Sequence, residues 1–176
     1  EGDRTRKAAL SQGASVADTG SGQSASLPEV AFHFNAPDKL GYAFRLLRKA
    51  LTRGVRTHVL ADRPLALRLD DGLWVQVAGD FLPHCLDDAP PQLLKRSPIV
   101  IGPSVMDVQP QAQVLVNLSD ALPDSSHLAR YGKIIEVVST LPGEREVARD
   151  RWRWYRQSGM VPQQHDLGAA PTSAHH

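Results

Sequence analysis

Hydrophobic and polar positions follow two different periods along the chain. Residues 30–34 alternate with a period of two and are β-prone, which predicts a strand. Residues 57–61 have the same character and predict a second strand. Between these segments, apolar residues recur at the spacing of one helix face: Leu40, Phe44, Leu47 and Leu51. A strand, a helix and a strand joined by short links predict a βαβ unit, and therefore parallel strands.

The pattern repeats further along the chain. Residues 64–73 and 142–158 are predicted to be helices, and residues 98–102, 114–117 and 133–138 are predicted to be strands. Asp38 and Pro142 lie at predicted helix starts, and Gly54 and Gly159 lie at predicted helix ends. Strands that alternate with helices predict an α/β fold with a mostly parallel sheet and flanking helices.

One domain, spanning residues 28–165, accounts for this pattern. The chain has 176 residues, of which 41% are hydrophobic, enough for a single domain with a sizeable core. Residues 1–27 and 166–176 are small and polar, and we expect them to form flexible tails. We also expect the chain to fray after Pro162, where apolar residues become scarce.

Charge and cysteine content limit the possible functions. The formal net charge is +1, so any basic binding surface has to be local. The single cysteine, Cys85, rules out an internal disulfide and a cysteine-rich zinc site, and we interpret it as a small buried residue.

Membrane and export signals are not evident in the sequence. No apolar run approaches the roughly 20 residues that span a bilayer, and the first residues lack the blocks of a secretory signal. We therefore expect a cytoplasmic location and no membrane partner. The chain begins with Glu1 rather than Met, and we expect it to be processed or truncated.

Motifs for catalysis, metals and cofactors are missing from the sequence. No G-x-x-x-x-G-K-[ST], H-E-x-x-H or G-x-S-x-G occurs, and the turn at residues 35–38 after the first strand contains no glycine to approach a phosphate. We interpret His33 and His58 as structural residues within strands, and His84 next to Cys85 as unrelated to catalysis. The sequence predicts no catalytic residue, no metal and no cofactor.

The last predicted helix has two distinct faces. One face carries Arg145, Arg149, Trp152, Arg153 and Arg156 at helical spacing. The opposite face is suited to pack on the sheet, although Arg151 also falls there and has to reach water or find a partner. The other residues of that face are Val147, Ala148, Trp154, Tyr155 and Ser158.

Several interpretations of the arginine face stay open. Arginine forks bind carboxylates, and an indole among them offers an apolar wall, so the face suits an acidic peptide with an apolar end. It is equally compatible with a solvated surface on which Arg149 pairs with Glu146 and Arg153 pairs with Asp150. Trp152 can also belong partly to the core. A third possibility is a nucleic-acid-binding module that places this face directly on single-stranded DNA.

A second group of large apolar residues falls in a predicted loop. Such residues either cover the core or form a surface for a protein partner. The group consists of Trp74, Phe81, Leu82 and Pro83.

Three stretches of the chain resemble the chi subunit family of bacterial DNA polymerase III. The first comprises residues 30–35 and 39–50. The second is Leu73 and Trp74 followed by Asp-Phe-Leu-Pro-His at residues 80–84. The third is residues 148–156 followed by Gly159. The resemblance covers about residues 29–165, although the family often has Lys or Tyr where this chain has Arg or Trp.

The resemblance implies a non-catalytic accessory subunit of the replicase, with a nucleotide-binding-like topology that lacks a phosphate-binding loop. It implies binding to the acidic C-terminal tail of single-stranded DNA-binding protein, and a link to the clamp-loader complex through the psi subunit. DNA would be contacted only indirectly. Carried over by position, the tail-binding residues are Arg145, Arg149, Trp152 and Arg153, and the psi-facing residues are Trp74, Phe81, Leu82 and Pro83.

Overall fold

A seven-stranded parallel sheet forms the centre of the computed structural model, which describes residues 27–75 and 82–168. The strand order is β3-β4-β2-β5-β6-β1-β7. The strands are β1 (Glu29–Ala36), β2 (Thr57–Leu60), β3 (Cys85–Leu86), β4 (Ile99–Gly102), β5 (Val114–Asn117), β6 (Lys133–Ser139) and β7 (Gln163–Asp166).

Four α-helices accompany the sheet, together with two short 3₁₀ helices. The α-helices are α1 (Lys39–Thr52), α2 (Arg63–Val75), α3 (Pro91–Arg96) and α4 (Pro142–Gln157), and the 3₁₀ helices are Val105–Asp107 and Leu128–Arg130. The predicted α/β fold, with a mostly parallel sheet and flanking helices, is confirmed. Of the predicted tails at residues 1–27 and 166–176, residues 1–26 and 169–176 lie outside the described residues, whereas Asp166 belongs to β7 rather than to a tail.

Two strands and one α-helix were not predicted from the sequence, namely β3, β7 and α3, and neither were the two 3₁₀ helices. The prediction that the chain frays after Pro162 is wrong, because β7 pairs with β1 in parallel from Ala31 opposite Gln163 to Phe34 opposite Asp166. All four residues of β7 are polar and exposed. An edge strand of this kind is held by backbone hydrogen bonds and by the Asn35 to Asp166 side-chain contact of 2.9 Å, so it needs no apolar alternation.

The two faces of the sheet are covered by different helices. Helices α1 and α2 contribute Ala43, Leu47 and Leu69 to the core on one face, where they pack with Val116 and Ile135. Helix α4 covers the other face with buried side chains that include Ala148 and Tyr155. Parallel strands buried on both faces explain why the central strands are nearly continuous runs of apolar residues.

Both predicted helix boundaries of α1 are confirmed. The Asp38 carboxylate accepts a hydrogen bond of 3.0 Å from the Gly41 backbone N–H and caps the start of the helix. Gly54 follows the helix with a φ of 68°, a left-handed conformation that favours glycine. Gly159 has a φ of 90° after α4, so the same termination occurs there.

A buried ion pair joins α4 to the middle of the sheet. Arg151 is 4% exposed, and its Nε donates to a carboxylate oxygen of Glu136 in β6 at 3.1 Å, where Glu136 is fully buried. Tyr155 Oη donates to the other oxygen of Glu136 at 2.7 Å, and Asn117 Nδ2 donates at 3.0 Å. Burial raises the pKa of Glu136, and the Arg151 guanidinium together with the neighbouring donors opposes that rise. Arg151, for which the sequence pattern indicated no partner, is therefore paired with the Glu136 carboxylate.

This ion pair fixes the rotation of α4 about its axis. Successive residues of a helix are separated by about 100° around its axis. With Arg151 and Tyr155 held against the sheet, Trp152 therefore lies at the border between the buried and the exposed faces of α4. It also turns Arg149 further outward, where it is exposed. The orientation of the arginine face thus depends on one buried contact.

Two histidines are built into the strands, as predicted. His58 is fully buried, and its Nδ1 lies 2.9 Å from the Tyr131 hydroxyl. Burial lowers the pKa of His58 from its ordinary value of 6.5 to about 4, with a smaller contribution from the charge of Arg56. His33 hydrogen-bonds Tyr42, and burial likewise lowers its pKa to about 4.

Replacing Arg151 with Ala is expected to destabilise the fold by about 3–5 kcal/mol, because the Glu136 carboxylate is left buried without its counter-charge. Chemical denaturation measures the free energy of unfolding. Arg153→Ala is the matched control, since Arg153 makes an exposed ion pair with Asp150 at 3.0 Å and such pairs contribute at most about 1 kcal/mol. Equal stability of the Arg151→Ala and wild-type chains would contradict this role of the ion pair.

Acidification is expected to destabilise the fold through His58. The pKa of His58 in the folded chain is below that of the unfolded chain, so the unfolded state binds this proton first as the pH falls. The contribution of His58 is therefore complete above about pH 6.5 and decreases between pH 6.5 and 4, by roughly 3 kcal/mol. Denaturation series across this range should show a shallower pH dependence for His58→Gln, and identical slopes would refute the assignment.

Candidate functional site

A cleft of about 310 Å³ lies between α4 and the β1–β7 edge of the sheet. Its apolar lining comes from Phe32 and Phe34 of β1, from Val138 of β6, and from Ala148 and Trp152 of α4. Its polar lining is Arg145, Arg149, Arg153 and Gln164. The structure therefore brings together the four side chains of the last helix that the family resemblance selected, whereas Arg156 of the same helix face does not line the cleft.

The period of each element explains the lining. Phe32 and Phe34 are two positions apart in β1, so both point to the face of the sheet that α4 covers. Gln164 stands directly opposite Phe32 in the β1–β7 register and shares that face. The cleft is thus open at the sheet edge and closed below by two phenylalanine rings.

Trp152 belongs both to the core and to the cleft. Its ring packs against Phe32 with centroids 5.0 Å apart and an interplanar angle of 56°. The side chain is partly buried, so the interpretation of Trp152 as a partial core residue is confirmed. The same ring lines the cleft, where it forms the apolar wall predicted from the sequence.

The arginines of the cleft differ in their partners. Of the two pairs in the solvated-surface interpretation, Arg153 makes its pair with Asp150 at 3.0 Å, whereas Arg149 makes no ion pair with Glu146. Within residues 27–75 and 82–168, the guanidinium groups of Arg145 and Arg149 make no ion pair or hydrogen bond. Both are exposed. Two exposed guanidinium groups are therefore available to bind a negatively charged partner.

The arrangement suits a ligand that is apolar at one point and anionic beside it. No acidic residue lines the cleft, so the potential there is positive even though the whole chain is nearly neutral. Guanidinium forks bind carboxylates in a bidentate manner. A volume of about 310 Å³ is at the lower end of ligand pockets, so the cleft accommodates the end of a chain rather than a folded surface.

Sequence reasoning missed part of the lining. Phe32 and Phe34 carried a usable signal, because their alternation places both on one strand face. Gln164 carried none, since it lies on the polar strand β7 that no pattern predicted. The outer wall of the cleft therefore emerges only from the fold.

The second predicted group of residues is divided by the structure. Trp74 lies in helix α2 rather than in a loop, is 60% exposed, and packs against the His84 ring with centroids 5.1 Å apart. Leu82 is 3% exposed and belongs to the core beneath α2, so its side chain does not reach the surface. Pro83 is partly buried. Phe81 lies outside the described residues.

The remaining candidate chemistry is structural. Cys85 is buried, as predicted, and burial raises the pKa of its thiol. His84 directs Nε2 to Asp70 at 2.9 Å and Nδ1 to the Leu82 carbonyl at 2.7 Å. In the turn after β1, the Asp38 carboxylate caps α1 at the position where a phosphate would bind in a nucleotide site.

The described part of the chain contains neither a cluster of metal ligands nor a membrane-spanning helix. No group of three or more His, Cys, Asp or Glu side chains there is placed to hold a metal ion. In the same residues, every helix is too short or too polar to cross a membrane.

Comparisons with known proteins identify related sequences. A family model described as DNA polymerase III chi subunit, HolC, matches residues 27–163. The DNA polymerase III subunit chi of Pseudomonas aeruginosa (strain PAO1) is 30% identical over 134 residues, which cover 73% of this chain and 87% of that protein. The matched region runs from just before β1 to the first residue of β7, and it includes all of α4.

Two solved structures of DEAD-box proteins have a similar backbone. The C-terminal domain of the DEAD-box protein Dbp5 has a TM-score of 0.54 and 14% identity, covering 81% of this chain and 92% of that domain. A DEAD box protein from the hyperthermophile Methanococcus jannaschii also has a TM-score of 0.54 and 14% identity, with 80% and 42% covered. At this identity the likeness shows the fold alone, and it confirms the predicted nucleotide-binding-like topology.

Proposed function

The chain belongs to the DNA polymerase III chi subunit family, and we propose that its cleft beside α4 binds the acidic C-terminal tail of single-stranded DNA-binding protein. Membership of the family assigns the chain to an assembly that replicates DNA. The observation that carries the proposal is the pair of unengaged guanidinium groups, Arg145 and Arg149, above a floor that contains Phe32 and Trp152. The proposal gives the chain no catalytic residue.

The chemistry of the tail matches the two parts of the cleft. By resemblance to the family, the tail is acidic and ends in an apolar residue with a free carboxylate. The apolar side chain would contact Phe32, Phe34 and Trp152, and Arg149 would bind the terminal carboxylate. Arg145 and Arg153 would attract the preceding acidic residues, with Arg153 exchanging its exposed partner Asp150. Charge attraction of this kind accelerates association and weakens as salt is added.

Binding of this tail would tether the replicase to coated DNA. A cleft that holds only the end of a peptide gives modest affinity, and a micromolar dissociation constant corresponds to about −8 kcal/mol. Several tails on one coated strand raise the effective concentration without any new contact. DNA is then contacted through the single-stranded DNA-binding protein rather than directly.

We further propose that the exposed part of α2 contacts the psi subunit, which would link the chain to the clamp loader. Trp74 and Val75 are 60% and 78% exposed at the end of the helix, and Leu67 is 43% exposed. Aromatic anchors on a local apolar surface are typical of protein interfaces. Pro83 would lie at the border of this surface, while Leu82 supports it from the core.

Substitution of Arg149 by Ala is expected to weaken tail binding by about 1.5–3 kcal/mol, because a charge-assisted hydrogen bond to the carboxylate is lost. Calorimetric titration with a tail peptide measures the effect, and a peptide with a C-terminal amide should lose a similar amount. Arg156→Ala is the matched control, since Arg156 is exposed on α4 and does not line the cleft.

Two outcomes would overturn the assignment of the cleft. One is unchanged tail affinity of the Arg149→Ala chain. The other is tight binding of a single-stranded oligonucleotide in moderate salt without the partner protein, lost on Arg149→Ala, which would favour direct DNA binding by α4.

Replacement of Trp74 with Ala is expected to weaken psi binding by about 2 kcal/mol or more, as for a central aromatic anchor. Co-purification or titration with the psi subunit measures the effect, and tail binding should be unchanged. Leu93→Ala on α3 is a suitable control, because Leu93 is an exposed apolar residue on another helix. Equal losses in both variants would contradict a psi surface centred on Trp74.

A further inference from the structure

A second groove lies on the face of the sheet opposite to the cleft. It has a volume of about 150 Å³ and is bounded by the second half of α1 and by the first residues of β2, β5 and β6. Its floor is aliphatic and includes Leu46, Val114 and Ile135. Its rim is cationic and consists of Lys49, Arg53 and Lys133.

The fold places these cations together. Lys49 and Arg53 are four positions apart at the end of α1, so they project from the same side of the helix. Lys133 begins β6 and stands opposite Val114 in the register of β5 and β6. Three positive charges thus surround one apolar depression.

No acidic residue of the described chain neutralises this rim. Lys49, Arg53 and Lys133 make no ion pair with residues 27–75 or 82–168, and no Asp or Glu lines the groove. Glu29 is the acid adjacent in register to Lys133, yet it forms no ion pair with it. The negative end of the α1 dipole is sufficient reason for Lys49 and Arg53 to lie there. It does not account for Lys133, which comes from β6.

His33 lines the groove close to two of these cations. It lines the inner end of the groove, and burial lowers its pKa to about 4 with further lowering by His165, Lys133 and Lys49. Each of these charged neighbours is a cation or becomes one on protonation. The three unpaired cations around the groove, rather than the pKa of His33, are what would attract an anionic ligand there.

We propose that this groove is a second peptide-binding site, which takes an internal acidic segment carrying one aliphatic or aromatic side chain. A volume near 150 Å³ accommodates a group of about the size of benzene, which is one such side chain. Lysine ammonium groups are flexible point charges rather than planar forks, so they suit side-chain carboxylates at variable positions. A free chain terminus is not required.

Nucleic acid fits the groove less well than an acidic peptide. Proteins that bind single strands provide aromatic side chains on which bases stack, whereas the floor here is formed by Leu46, Val114 and Ile135. A bound nucleic acid would place its phosphates above this aliphatic floor and leave the apolar surface without an apolar partner. One chain would therefore carry two acidic-peptide sites on opposite faces, with different requirements for the ligand terminus.

The test uses the full chain carrying Arg149→Glu, which disables the cleft beside α4. The probe is a rhodamine-labelled peptide of the sequence Asp-Asp-Leu-Asp-Asp with a C-terminal amide, and anisotropy measures its binding. Adding Lys49→Glu and Lys133→Glu is expected to weaken binding by about tenfold or more, because charge-assisted contacts become repulsive. Arg48→Glu together with Arg68→Glu is the matched control, since both residues are exposed, neither lines the groove, and the pair undergoes the same total change of charge.

The outcomes separate this site from the cleft. Equal affinity of the probe for the chains with and without the Lys49 and Lys133 changes would overturn the second site. So would unchanged affinity when the probe leucine is replaced by serine, or preferential binding of a thymidine oligonucleotide through the same lysines. Failure of the cleft instead appears as tail-peptide binding that is insensitive to Arg149→Glu, whatever the amidated probe does.

Discussion

The contact between Arg151 and Glu136 determines how α4 presents the rest of its surface. A carboxylate in the middle of a buried strand requires a counter-charge, and the only guanidinium that reaches it among the described residues comes from α4. Once that contact forms, rotation of α4 about its axis would leave the charges of Arg151 and Glu136 buried and unpaired. This polar contact and the packing of Trp152 on Phe32 together hold the arginine rim above the phenylalanine floor.

Strong periodicity is what made much of this molecule predictable. The stripe on α4 was evident because its arginines and Trp152 repeat at helical spacing, and the central strands were evident because they are buried on both faces. The polar strand β7 gave no signal, since its pairing depends on backbone groups of β1 rather than on side-chain pattern. The partner of Arg151 was equally hidden, because Glu136 is 15 residues away and only the crossing of α4 over β6 brings the two together.

The location of the cleft is unusual for this type of sheet. Open parallel sheets commonly bind ligands in a crevice at the carboxyl ends of their strands, where glycine-rich turns approach a phosphate. Here Asp38 occupies the start of α1, and the cleft lies along the side of α4 instead. A backbone similar to that of a DEAD-box protein domain thus coexists with a binding surface made of helix side chains, which is consistent with function residing in sites rather than in folds.

The position of β1 between β6 and β7 has a consequence for synthesis of the protein. Both neighbours of β1 lie far along the chain, β6 at residues 133–139 and β7 at residues 163–166, and such long-range pairing is slow to form. Both edges of β1 are unpaired until β6 has been synthesised, and one edge remains unpaired until β7 follows. An unpaired edge can form hydrogen bonds with other chains, including nascent copies of the same chain. Chaperone protection during translation would matter most for this first strand.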